Sequence, residues 1–106
     1  MKKVLGAIAG IGLLSVGLIG SAAAADGAAL FQSKGCIACH GADANTPIMP
    51  IYPKLAGQNP QYAYNQMLDI KSGKRNNGQT AAMKAIVAGV SDADLKTIAD
   101  WLGTLK

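Results

Sequence analysis

From residue 26 onward the apolar positions recur at helical spacing, and no alternating apolar/polar run is long enough to make a convincing strand. Leu30, Phe31, Lys34 and Gly35 fall three and four apart, which predicts a first helix over roughly Gly27 to Ala38. The pattern then breaks. Between Gly41 and Gly57, Pro47, Pro50 and Pro53 remove backbone donors and block regular helix, so this stretch reads as a loop. It is unusually apolar, with Ile48, Met49, Ile51, Tyr52 and Leu55, and a long loop of that character is expected to wrap something.

Asn59-Pro60 is an N-cap residue followed by proline in the first turn, and predicts a helix through Tyr62, Gln66, Met67 and Ile70 that stops at Ser72-Gly73. A polar connection, "GKRNNGQT", leads to a short helix over about Thr80 to Ala88 with Gly89 as its C-cap. "SDAD" then offers Ser91 as N-cap and two aspartates in the first turn, where the helix dipole favours negative charge. The last helix, about Asp92 to Leu105, presents Leu95, Ile98, Trp101 and Leu102 on one stripe. The expectation is an all-α domain of four to five short helices.

The first 25 residues have another character. Lys2 and Lys3 precede an uncharged apolar run that ends in "GSAAAAD", the layout of a secretory signal peptide cleaved after Ala25. An uncleaved anchor is the alternative, since a run of this length could nearly span a bilayer. Cleavage leaves residues 26–106 as a single small domain, in which eight Lys and Arg face six Asp, so the net charge of the full chain, +4, falls to +2. That excess, with no basic run interleaved with aromatics, argues against nucleic acid as a partner. A core this small is marginal without a metal, disulfide or cofactor to reinforce it.

The reinforcement is sought in "GCIACH", residues 35–40, which holds both cysteines and the only histidine. On a helix, Cys36, Cys39 and His40 share one side. Two thiols so spaced can add to the two vinyl groups of a haem and leave the adjoining imidazole beneath the iron, and C-x-x-C-H is the attachment signature of c-type haem. A dithiol redox site requires a βαβ setting that the sequence lacks, and a structural zinc site requires a second ligand pair that is also missing. A plain disulfide leaves the histidine and the apolar proline loop unexplained. Haem iron takes a second axial ligand, and with no second histidine the candidates are Met49, Met67 and Met83. Met67 lies among apolar residues of a helix and reads as core, and Met49 is close to the attachment site in sequence. Met83 follows the polar connection, can reach the far face of the ring, and is the preferred ligand.

With these residues in view, the chain resembles the class I cytochromes c, above all the small bacterial monohaem forms and one domain of the dihaem bacterial cytochromes. "GAALFQSKGCIACHG", "YPKLAGQNPQY", "KSGKRN" and "MKAIVAGVSDADLKTIADWLGTLK" carry the resemblance. It implies the class I cytochrome c fold wrapped around one haem c, attached to Cys36 and Cys39, with His40 and Met83 as the metal ligands. It also implies that the Pro53 carbonyl accepts the other imidazole N–H of His40, and that Gly27 and Phe31 of the first helix cross Ile98 and Trp101 of the last. Tyr62, Gln66 and Arg75 are candidate contacts for a haem propionate. Met67 stands where the family usually has leucine.

The expected function is one-electron transfer in the periplasm, without catalysis and without a small-molecule substrate at the iron, since two strong axial ligands close it. Expected partners are redox proteins, such as a quinol-cytochrome c reductase, a terminal oxidase or a periplasmic reductase, with the membrane touched only transiently. Lys34, Lys54, Lys71, Lys74, Arg75 and Lys84 are candidates for a ring of charge that steers them. The alternatives are a haem subunit of a periplasmic oxidoreductase complex and a membrane-tethered carrier that keeps its leader.

Overall fold

A computed structural model describes residues 26–106, and the expected leader, 1–25, lies outside the described residues. Five helices and no strands occur among them: α1 over 26–33, α2 over Ile37–His40, α3 over Pro60–Ser72, α4 over Thr80–Val87 and α5 over Asp92–Thr104. None is long and apolar enough to cross a membrane.

The single first helix expected from periodicity is in fact two. Gly35 takes φ +84°, its N–H bonds the Gln32 carbonyl at 3.2 Å, and the Cys36 N–H bonds the Phe31 carbonyl at 3.1 Å. This pair of reversed bonds around a left-handed glycine is a Schellman ending, which satisfies the last carbonyls of α1 and redirects the chain. Cys36 therefore begins a new helix, and the attachment segment does not share the face of Phe31. α3 starts as its caps require, with Asn59 Oδ1 accepting from the Tyr62 N–H at 3.0 Å and Pro60 in the first turn. It ends on Gly73 at φ +87°. α4 departs slightly from expectation: it stops at Val87 with Ala88 still right-handed, and Gly89 is not in the left-handed region. Ser91 Oγ accepts from the Asp94 N–H at 3.2 Å and opens α5.

α3 packs on both α4 and α5. Phe31, Ile70, Leu95, Ile98 and Leu102 are the largest fully buried side chains, one from α1, one from α3 and three from α5. Burying each stabilises the fold by about 1.5–3 kcal/mol. α1 crosses α5 through Gly27, where a Cβ would run into the Trp101 side chain, its Cγ only 2.9 Å away, and stand 3.1 Å from the Thr97 carbonyl. The close approach lets Phe31 meet Trp101 with ring centroids 5.2 Å apart at a 48° tilt. Trp101 thus serves as packing, half-buried across the helix crossing. A second close approach joins the start of α3 to the end of α5, where a Cβ on Gly103 would meet Pro60 Cδ at 3.0 Å.

Candidate functional site

α2 is a single turn, and it brings Cys36, Cys39 and His40 together at the edge of the core. Both cysteines are half-buried with their sulfurs unpaired, and His40 is buried. Burial pushes the Cys36 thiol above its ordinary range, and Cys39 nearby adds to this against a backbone hydrogen bond that lowers it. A thiol that ionises reluctantly is a poor attacking group for dithiol exchange.

His40 Nδ1 lies 2.9 Å from the Pro53 carbonyl oxygen. A carbonyl only accepts, so the ring proton sits on Nδ1 and the Nε2 lone pair is left bare in the neutral imidazole. Nε2 makes no hydrogen bond among the described residues. An imidazole held in this way with one nitrogen free can bind a metal, and its bond to the carbonyl orients the ring.

The loop from Gly41 to Gly57 holds Pro53 in place by a set of short bonds. Asp43 Oδ1 accepts from the Asn45 and Thr46 N–H groups, both at 2.9 Å, and Oδ2 accepts from the Thr46 hydroxyl at 3.0 Å. These bonds hold the exposed Asp43 carboxyl below its ordinary range, the Asn45 N–H first among them. The next residue, Ala44, is fully buried at φ +58°, and its carbonyl accepts from the Leu55 N–H at 2.7 Å and the Ala56 N–H at 3.0 Å. Ile48 N–H reaches back to the Cys39 carbonyl at 3.1 Å. Three of the loop's apolar side chains stand outward, with Ile48 64 %, Met49 46 % and Ile51 58 % exposed, while Tyr52 is half-buried and Leu55 packs against the core. Ile86 of α4 is also exposed, close to Gly35 beside Cys36. Uncovered apolar side chains at Cys39 and at Cys36, two thiols and one bare imidazole nitrogen fit a large apolar ring system with a metal at its centre.

The three methionines fall in different surroundings. Met67 is buried in the core among α3 residues, Met49 is exposed in the loop, and Met83 is half-buried on α4, against the core. Tyr62 is 54 % exposed. Arg75 Nη1 donates to Gln66 Oε1 at 3.1 Å, so two of the candidate propionate contacts are joined to each other. Lys71 leaves the set of steering charges: its ammonium donates to the Val90 carbonyl at 2.6 Å and to Asp92 at 2.9 Å, and is engaged in tying α3 to the connection between α4 and α5. Lys54, Lys74, Arg75 and Lys84 are exposed, and Lys34 is half-buried. The part played by Asp43 was missed in the sequence, although an Asp shortly after a glycine, with Asn45 and Thr46 two and three residues on, is a side-chain-capped turn signal.

Comparison with known proteins agrees with this chemistry. Residues 24–106 match the family model for cytochrome c. Cytochrome c4 of Pseudomonas aeruginosa is 47 % identical over 96 residues, which are 89 % of this chain and 46 % of that protein. Cytochrome c-553 of Nitratidesulfovibrio vulgaris is 31 % identical over 105 residues, 99 % of this chain and all of that one. The crystal structure of reduced recombinant cytochrome c4 from Pseudomonas stutzeri superposes with a TM-score of 0.70 at 29 % identity, covering 81 % of this chain and 50 % of that one. The chain spans about half the length of the cytochrome c4 relatives it matches. With an all-α fold of this type, and covalently bound haem c as its cofactor, the chain belongs to the cytochrome c family.

Proposed function

We propose that the chain is a one-electron carrier of the periplasm, with its haem tethered by Cys36 and Cys39 and its iron held between His40 Nε2 and Met83. The observation that carries this reading is the bare Nε2 of a buried imidazole whose other nitrogen is committed to Pro53, one residue from a half-buried thiol and one turn from another. A haem held there supplies the ferric/ferrous couple. The residues do the rest. Pro53 fixes the imidazole plane and strengthens His40 as a donor. The thioether of Met83, a weaker donor, favours the ferrous state and raises the potential. With His40 and Met83 both donating to it, the metal would be closed to substrate, which separates a carrier from a haem enzyme. The apolar side chains at the attachment site exclude water and disfavour the extra positive charge of the ferric state. Redox proteins are the partners, steered by Lys54, Lys74, Arg75 and Lys84, whose side chains are open to solvent. Export follows from the leader, so that protein from the native host should have lost residues 1–25 and gained the mass of one haem.

The test is spectroscopic. The ferric protein should show the weak long-wavelength band of an iron–thioether bond, and Met83→Ala should abolish it and lower the potential. Loss of the band in Met49→Ala instead would reject Met83 as the ligand.

A further inference from the structure

We infer that Asp43 is a positioning residue for the proximal imidazole: it shapes the turn whose carbonyl clasp sets the Pro53 oxygen against His40. The chain of contacts is continuous. The carboxylate gathers the Asn45 and Thr46 N–H groups and the Thr46 hydroxyl, all within 3.0 Å. That turn is tight enough that a Cβ on Gly41, at φ +85°, would collide with the Thr46 carbonyl. Within it Ala44 is held left-handed at φ +58°, a conformation that is unfavourable for an alanine and therefore needs support. In that conformation the Ala44 carbonyl faces the returning limb of the loop, where it accepts from the Leu55 N–H at 2.7 Å and the Ala56 N–H at 3.0 Å. Those two residues follow Pro53 closely, and the Pro53 carbonyl is the one 2.9 Å from His40 Nδ1. Proline has no N–H, so Pro53 cannot tie this limb back to the turn by donating a bond of its own. The anchor is Ala44, and the Asp43 carboxylate is what bends the chain there.

Asp43 touches neither the imidazole nor the haem. Its effect passes through the length and direction of the Nδ1–H to carbonyl bond, which governs how strongly His40 donates to the iron. The inference rests on the reading of His40 as the axial ligand.

The experiment compares Asp43→Ala with Asp43→Asn in the haem-loaded protein. Both remove the negative charge, but only asparagine keeps an oxygen that can accept from the two backbone N–H groups. Asp43→Ala should have a higher reduction potential than Asp43→Asn, because a slackened Pro53 bond weakens the imidazole as a donor to ferric iron. Its His40 Nδ1 proton should exchange roughly three- to tenfold faster, the loss of about one net hydrogen bond. Should Asp43→Ala fail to mature, Asp43→Val, which likewise has no acceptor, takes its place and should shift both readouts in the same direction. Equal potentials and equal exchange in the alanine or valine and asparagine variants would overturn the inference. So would a lower potential in Asp43→Ala, the sign expected from water entering the site. His40→Gly is the separate control: an unchanged low-spin spectrum there rejects the ligand reading, whereas an altered one with silent Asp43 variants rejects only the positioning role.

Discussion

Lys71 Nζ stands 2.6 Å from the carbonyl oxygen of Val90 and 2.9 Å from a carboxylate oxygen of Asp92, so one ammonium pins the end of α3 to the connection between α4 and α5. The two bonds are not equal. Asp92 is 63 % exposed, and a pair of this kind stabilises by about 0–1 kcal/mol. The Val90 carbonyl belongs to a buried residue, and leaving it without a partner costs about 1–3 kcal/mol. Lys71→Ala should therefore lower the urea midpoint clearly more than Asp92→Asn. Equal shifts would place the energy in the ion pair.

Gly27→Ala should destabilise the protein even though alanine is the better helix former by about 1 kcal/mol. The added methyl has nowhere to go between Trp101 and the Thr97 carbonyl, and overpacking of this sort costs about 1–3 kcal/mol. Thermal unfolding of the haem-loaded variant, compared with Gly89→Ala as an exposed control whose added methyl meets only the Ile86 carbonyl at 3.9 Å, measures the net effect.

Met67→Leu keeps the volume of a buried core side chain and should cost less than about 1.5 kcal/mol. Its ferric spectrum should match the parent's. A lost thioether band in this variant would show that Met67 competes for the iron.

Acid should expose the Asp43 turn. The folded carboxyl sits below its ordinary range, so it contributes stability above the unfolded value, and that contribution is lost as pH falls through the lower folded value. Wild type should be more stable than Asp43→Asn at neutral pH, and the gap should close from about pH 4 downward. Urea midpoints of both proteins across that range provide the check, and a gap that persists at the lowest pH would contradict it.

The elements that could be read from the sequence were those whose ends are written locally. Asn59-Pro60 and Ser91 mark the starts of α3 and α5 because a side-chain oxygen caps the helix within three residues. The break at Gly35 was missed because the flanking residues keep helical periodicity across it. Its cause is the left-handed glycine, and "KGC" contains that signal without any proline to announce it. Gly89 shows the converse, a glycine in the expected place that the backbone does not use in that way. At the site, the C-x-x-C-H spacing was enough to gather Cys36, Cys39 and His40. Lys71 with Val90, Arg75 with Gln66, and Ala44 with Leu55 lie nine to nineteen residues apart, and each depends on a fold that had first to form.

The crossing of Gly27 and Phe31 over Trp101 also fixes an order of events. α1 and α2 are made early, but the surface that covers Phe31 lies at the other end of the described chain, and contacts so distant in sequence close late and slowly. Until α5 has been synthesised and delivered, the cysteine segment is attached to a helix with no apolar partner. The last helix is therefore the latch of the fold, closing over Phe31 only after the segments between have been placed.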